Sequence, residues 1–392
     1  SLKVLSTRMH TRKGECKMAQ KRMNKRQQRL ERQRRIKKKR RKRLAIILIE
    51  IVILAGLGVV AYGMFVMDKM DTTTLNKDKL EVYKDTGDYT NIALFGLDSR
   101  EGELDGGVQS DCIMVASINN KTNEIKLVSV YRDTLMKVTS EKYGKANSAY
   151  NSGGPTDAIA LLNRNLDLDI EKYISVNFNA LADVVDALGG IEIDMTEEEV
   201  YWTNGYCTET SKVVGRETTE LSGAGVHKLD GVQAVSYARI RYTEGMDFKR
   251  TQRQRIVLEK IAEKAQKANV ITLNNIVNKV MPQISTNLST ANMLGLAAHA
   301  ADYKLGQMSG FPFEVTTCEK VKNHKGSYVT AVGLEKNVSE LHEFLFGEED
   351  YEPSATVKDI SNEVIYMTGV DPETYKTTTD YTYKSGGDDS EN

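Results

Sequence analysis

Histidine is scarce in this chain, and its five copies are scattered without H-x-x-x-H or Cys/His spacing, which argues against a zinc site. Four cysteines offer little: Cys16 lies in a basic N-terminal segment, which leaves Cys112, Cys207 and Cys318 as an odd set. A Cys207–Cys318 bridge is open to them, although nothing in the sequence requires one. There is no Walker loop, no G-x-S-x-G elbow and no H-E-x-x-H. The one near-match to a dinucleotide motif, Gly56-Leu57-Gly58, falls inside a long apolar run and carries no such meaning. No repeat with a period of about 20 to 50 residues is present. Net charge is absent too, because 54 basic and 54 acidic residues cancel.

That cancellation hides two opposite halves. Residues 1–43 hold 20 Lys or Arg against Glu15 and Glu31, a net of +18, whereas the chain after residue 67 has a net of −17. Between them, residues 44–67 read LAIILIEIVILAGLGVVAYGMFVM, apolar apart from Glu50. Roughly 20 such residues cross a hydrocarbon core. A cleaved signal peptide has a shorter apolar core, about 7 to 15 residues, and ends in small residues, which Met64 to Met67 do not supply. The stretch therefore reads as an uncleaved signal anchor, with Glu50 a tolerated acid or one that finds a partner helix. Basic flanks stay in the cytoplasm, so the expected topology is a single-pass type II protein of the cell membrane, with the bulk of the chain extracellular. The basic run 32–43 lacks interleaved aromatics for stacking on bases and abuts the bilayer, where anionic headgroups attract it. Membrane contact is expected, and no nucleic acid.

Residues 68–88 are polar and read as an extracellular stalk, 89–350 as one domain long enough for a large core, and 351–392 as a flexible tail. Within the domain, NIALFGL at 91–97 is a short apolar run typical of a buried strand, and 112–118 with 125–131 form an expected hairpin across NNKTN. Gly154-Pro155 opens a helix, Asn179 caps a second that Gly189 ends, and IEIDM alternates as a strand. Asp230 with Gln233 starts a short helix as a capping box, and Asp247 caps a long one to about residue 268. Strands interleaved with helices imply an α/β domain, a mixed central sheet covered by helices on both faces.

Acids and arginines stand at the strand ends. Asp98, Ser99 and Arg100 follow the first strand, Asp111 precedes the second, and Arg132 and Asp133 end the third. Such termini are where ligand sites of α/β sheets gather, and two carboxylates with phosphate oxygens and water would suit Mg²⁺. The plainer reading of Asp98 is a turn acid. Arg239 and Arg241 sit two residues apart, and Arg250 with Gln254 are i, i+4 neighbours at the start of a helix. Arginine forks at a helix N-terminus make a pyrophosphate cradle; the plainer reading is a solvated basic face paired with acids.

Seven segments carry a resemblance: NIALFGLDSR (91–100), SDCIMVASIN (110–119), KLVSVYRDTL (126–135), KANSAYNSGGPTDAI (145–159), FNALADVVDALGGIEIDM (178–195), LDGVQAVSYARIRY (229–242) and DFKRTQRQ (247–254). In this order they resemble the LytR-CpsA-Psr family of membrane-anchored cell-wall enzymes over roughly residues 88–270. The resemblance implies a Mg²⁺-dependent phosphotransferase that moves a glycopolymer from a polyprenyl (undecaprenyl) pyrophosphate donor to a peptidoglycan acceptor. It makes Asp98 and Asp111 the metal-positioning acids and Arg132, Arg239, Arg241, Arg250 and Gln254 the pyrophosphate contacts. Arg132, Arg239, Arg241 and Asp98 would carry catalysis, and Asp98 and Asp133 both remain open as general base. Two departures stand out: Gln109 replaces the family's arginine before Ser110-Asp111, a loss that Arg100, as a further pyrophosphate contact, either compensates or does not, and Tyr131 replaces a proline before Arg132. Tyr131 either stacks on a sugar or fills space. The rival functions are a non-catalytic envelope regulator or wall-binding protein of the same fold, and a lipid pyrophosphate hydrolase.

Overall fold

Short apolar runs build the centre of the molecule. The computed structural model describes residues 71–72, 75–98, 104, 107–243, 245–289, 292, 296 and 302–375. The basic segment 1–43, the apolar stretch 44–67, Arg100 and residues 376–392 lie outside the described residues. Among the described residues no helix is long and apolar enough to cross a membrane.

In chain order the strands are β1 (Asp71–Thr72), β2 (Tyr89–Leu97), β3 (Ser110–Asn119), β4 (Glu124–Val130), β5 (Leu135–Lys137), β6 (Tyr143–Lys145), β7 (Lys172–Asn177), β8 (Ile191–Met195), β9 (Gly225–Leu229), β10 (Ile284–Thr286), β11 (Lys304–Phe311), β12 (Val315–Cys318) and β13 (Tyr328–Ala331). The described helices are α1 (Ser148–Leu166), α2 (Phe178–Ala187), α3 (Glu197–Val214), α4 (Gly231–Arg239), α5 (Met246–Gln266), α6 (Val270–Val280), α7 (Leu334–Phe346) and α8 (Ala355–Thr368). A seven-stranded mixed sheet runs β1-β10-β7-β2-β3-β4-β11. β2 is parallel to β7 and antiparallel to β3, and β4 is antiparallel to β3 and parallel to β11. The C-terminal ends of β2, β4, β7 and β11 therefore share one edge with the start of β3.

Alternation along the strands sorts the core. Ala93, Phe95 and Leu97 of β2 pack with buried residues of α1, α7 and α8 on one face. Leu94 and Met114 point to the other face, toward a cavity that α2 to α5 cover. Those helices have their own cluster, in which Val185, Ile193, Tyr237 and Val257 bring α2, β8, α4 and α5 together. A close approach fixes α4 against α2: a Cβ on Gly231 would lie 2.3 Å from the Ala182 carbonyl oxygen.

Several expectations shift. Asn177, not Asn179, caps α2, its side chain accepting from the Ala180 N–H at 2.8 Å, because Asn177 holds the extended backbone a cap needs. The helix expected to open at Gly154-Pro155 has an earlier turn from Ser148, with a break at Gly153 and Gly154, where φ of +63° suits glycine. Part of the stalk packs on the domain: Leu75 and Leu80 are buried, and Asn163 donates to the Leu80 carbonyl at 2.8 Å. The tail read as flexible from residue 351 contains α8, whose Val357, Ile360 and Val364 are buried at helical spacing. Asp167 secures its start, accepting from the Ser354 hydroxyl at 2.6 Å and backbone N–H at 2.7 Å. Cys112, Cys207 and Cys318 are free thiols, so the Cys207–Cys318 bridge does not form.

Candidate functional site

A register break at the end of β2 positions the first acids. Leu97 pairs with Ser110 and Gly96 with Cys112, which leaves Asp111 as the extra residue of a bulge; bulges re-aim side chains at sheet edges. Asp98 follows β2 directly, its N–H donating to the Gln109 carbonyl at 3.3 Å. Arg132 follows the end of β4 on the same edge.

Three arginines converge on two acids there. Arg132 Nη1 donates to Asp111 Oδ1 at 2.7 Å, and Arg241 Nη2 to Asp111 Oδ2 at 2.9 Å. Arg132 Nε also donates to Asp247 Oδ2 at 3.2 Å, and Arg250 Nη1 lies 3.3 Å from Asp247 Oδ1. Asp133 sits at the rim, 2.8 Å from Lys145 and 3.7 Å from Arg132. Asp247 is thus not the cap of α5: Gly245 (φ 83°) takes that position, and Asp247 in the first turn aims its carboxylate at the arginines.

The electrostatics follow from crowding in a half-buried place. Burial works against the Arg132 charge, but Asp111, Asp247 and Asp133 outweigh it and hold its pKa above the ordinary value. For Asp247, burial pushes the carboxyl up, yet Arg250 and Arg132 prevail and keep it below 3.8. Arg250, with a side chain only 2% exposed, is pushed down to about 10 by burial and by the neighbouring Arg132 and Arg241 charges, and so stays cationic at neutral pH. Its Nε makes no hydrogen bond, and its Nη1 has only the ion pair with Asp247, so the buried fork keeps donor capacity for a further anion. Asp98 Oδ1 is likewise buried without a hydrogen-bond partner among the described residues.

These groups stand at the polar end of a cavity of about 660 Å³, within the usual range for ligand pockets. Leu94, Met114, Ile174, Val235 and Val257 make its apolar part. Asp98, Asp111, Arg239, Arg241, Arg250 and Gln254 all line it, so the structure brings these six sequence-assigned residues together. Arg132 lies behind them, reaching the site through Asp111 and Asp247. Arg100 lies outside the described residues, and Gln109 is exposed. Tyr131 is buried edge-to-face against Phe248, ring centroids 4.6 Å apart, and so fills space at the strand end. Cys112 also lines the cavity, but burial pushes its thiol up to about 12, which leaves it a poor nucleophile.

Sequence reading missed several participants. Arg239 donates to Thr210 at 3.0 Å and Glu209 at 3.2 Å, with its guanidinium 4.9 Å from the Phe178 ring centroid and 5.7 Å from that of Tyr206. Trp202, Tyr206 and Tyr242 join the cavity wall. The available signal was the i, i+4 spacing of Trp202 and Tyr206 on one helical face.

A model described as the LytR_cpsA_psr family matches residues 58–343. The polyisoprenyl-teichoic acid–peptidoglycan teichoic acid transferase TagU of Enterococcus faecalis is 30% identical over 261 residues, covering 64% of this chain and 79% of that protein. Biofilm regulatory protein A of Streptococcus mutans is 30% identical over 213 residues, covering 51% of this chain and 49% of that protein, about half its length. A solved structure of the LytR-CPS2A-psr family protein YwtF (TagT) with bound octaprenyl pyrophosphate lipid shares the fold, with a TM-score of 0.51 at 22% identity over 70% of this chain and 99% of that chain.

Proposed function

Because the chain belongs to the LytR_cpsA_psr family, we propose that it moves a glycopolymer from a polyprenyl pyrophosphate carrier to peptidoglycan through a phosphodiester bond. TagU bears the name of such a transferase for teichoic acid, and the YwtF (TagT) structure contains octaprenyl pyrophosphate. The observation that carries the reading in this chain is Arg250, a buried guanidinium lining an apolar cavity, with Nε unbonded and Nη1 held only by the Asp247 ion pair. The apolar part fits an isoprenoid tail, and guanidinium forks fit pyrophosphate oxygens.

In this reading an acceptor hydroxyl oxygen attacks the phosphorus that bears the glycan. A P–O bond forms to the acceptor, the bond to the bridging oxygen breaks, and polyprenyl phosphate leaves. Arg239, Arg241, Arg250 and Gln254 hold the pyrophosphate oxygens, while Arg132, Asp111 and Asp247 keep the guanidiniums oriented before substrate arrives. Positioning and charge neutralisation are most of what phosphoryl transfer asks of a protein. Asp98 and Asp133, the latter held by Lys145 and Arg132, are the two carboxylates on this edge available to accept the acceptor's proton.

Mg²⁺ fits the donor set. Asp98 and Asp111 are hard oxygen donors on neighbouring strands, and Asp98 has an oxygen without a hydrogen-bond partner. Among the described residues no group of three or more metal-binding side chains converges, so substrate oxygens and water would complete the shell, as is usual for this ion. When bound, it would polarise the phosphoryl oxygens. The apolar segment 44–67 and basic segment 1–43 are proposed to anchor the chain as a type II membrane protein, with the folded domain outside the cytoplasm.

The test is to incubate the full chain with a glycan-loaded polyprenyl pyrophosphate and peptidoglycan oligomers. A glycan–peptidoglycan conjugate formed together with polyprenyl phosphate supports transfer. Release of glycan phosphate that ignores the oligomers would make the protein a hydrolase, and no turnover at all would make it a binding or regulatory protein of this fold.

A further inference from the structure

Three aromatic rings beside the arginines are not absorbed by the pyrophosphate reading. Trp202 and Tyr206 lie one turn apart on α3, and Tyr242 directly follows Arg241. The Trp202 and Tyr242 rings are 5.0 Å apart and tilted by 34°, and Tyr206 and Tyr242 are 6.3 Å apart and tilted by 30°. The Tyr242 ring is thus within 34° of parallel to each of the other two, and all three residues line the cavity. A packing role alone would bury them, yet Tyr242 is 67% exposed. The rings therefore present an apolar shelf to water. Glu209, which holds Arg239 at 3.2 Å, adds a carboxylate beside it.

Position narrows what the shelf can take. Arg239 and Arg241 bracket Ile240 on the segment that leads into Tyr242, so the shelf is continuous with the proposed pyrophosphate contacts. An isoprenoid tail belongs against the aliphatic lining of the cavity, Leu94, Met114 and Val235. The group attached to the other side of the pyrophosphate is a sugar, which has an apolar C–H face and a rim of hydroxyls. We propose that Trp202, Tyr206 and Tyr242 receive the first pyranose ring of the donor, its C–H face on the aromatic rings and a hydroxyl on Glu209. This rests on the reading of the arginines as pyrophosphate contacts, and it makes Tyr242 a specificity-determining residue.

Trp202 is the only tryptophan in the chain, so intrinsic fluorescence reports on the shelf itself. The experiment titrates the full chain with polyprenyl pyrophosphate bearing one N-acetylhexosamine and, separately, with the sugar-free lipid pyrophosphate. The sugar-bearing lipid should change Trp202 emission and bind more tightly, by roughly three- to tenfold for a stacking contact of about 1 kcal/mol. Tyr242→Ala should abolish that difference while leaving the affinity for the sugar-free lipid and the thermal transition unchanged, and Tyr242→Phe should restore it. Equal affinity of the wild-type chain for both lipids overturns the proposal, as does an equal loss for both in Tyr242→Ala, which would assign the rings to the tail or to packing. Binding of neither lipid would overturn the pyrophosphate reading first and the shelf with it; Arg241→Ala, expected to weaken both lipids alike, separates that failure from a failure of the shelf alone.

Discussion

Arg132 and Arg241 meet across a single carboxylate: Asp111 accepts from one at 2.7 Å and from the other at 2.9 Å, one oxygen each. The arrangement fixes two guanidiniums, brought from distant parts of the chain, before any ligand is present. Each carboxylate oxygen has a second lone pair, so Asp111 retains acceptor capacity on both.

Arginines held this way should matter to rate more than to folding. Arg241→Ala is expected to lower kcat/KM by about 10²- to 10³-fold, the usual cost of one preorganised electrostatic contact. Arg239→Ala should lose a similar factor and also some stability, because its guanidinium stacks on Phe178 and Tyr206. Steady-state lipid turnover beside thermal melts separates the two; unchanged turnover in a folded variant removes that arginine from the site.

Acid should loosen the site through Asp247. Its carboxyl is held below 3.8, burial opposing and Arg250 and Arg132 prevailing. A depressed carboxyl contributes stability that is present above the unfolded pKa and lost as pH falls through the folded one. Melting temperature should therefore decline below about pH 4 in the wild type, and Asp247→Asn should flatten that limb while lowering stability at neutral pH. Identical acid limbs would contradict the pairing.

At the α2–α4 crossing, Gly231→Ala would drive a Cβ to 2.3 Å from the Ala182 carbonyl oxygen. Helix α4 carries Arg239, so a shift there moves the site as well. Overpacking of this kind costs about 1–3 kcal/mol. Denaturant unfolding should show the loss, accompanied by reduced turnover.

Removing residues 348–392 tests whether the C-terminal helix belongs to the fold. Val357, Ile360 and Val364 are buried against the main core, at about 1.5–3 kcal/mol for each large side chain fully buried. The truncated chain should lose several kcal/mol or fail to fold. A melt equal to that of the full chain would show the helix to be dispensable.

The strands of the central edge were legible because β2, β3 and β4 are short apolar runs with charged residues at their ends, and the short helix after Asp230 because its capping box is local. The cap of α2 was misplaced by two residues, since Asn177 and Asn179 differ in backbone conformation rather than side chain. Residues Val357, Ile360, Val364 and Met367 keep helical spacing within a segment rich in Thr, Tyr, Ser and Asp, so composition masked the pattern. Asp111 and Arg241 lie 130 residues apart, and their pairing depends on the sheet edge, which no local pattern encodes. Tyr242 could not be distinguished from a packing tyrosine until its exposure and its neighbours on α3 were known.

The most direct test of the central claim compares the full chain with an Asp98→Ala/Asp111→Ala variant, each given a glycan-loaded polyprenyl pyrophosphate with and without Mg²⁺. The account predicts Mg²⁺-dependent release of polyprenyl phosphate by the wild type and its loss in a variant that still folds. Equal turnover by both proteins, or none by either with several lipid donors, would contradict it.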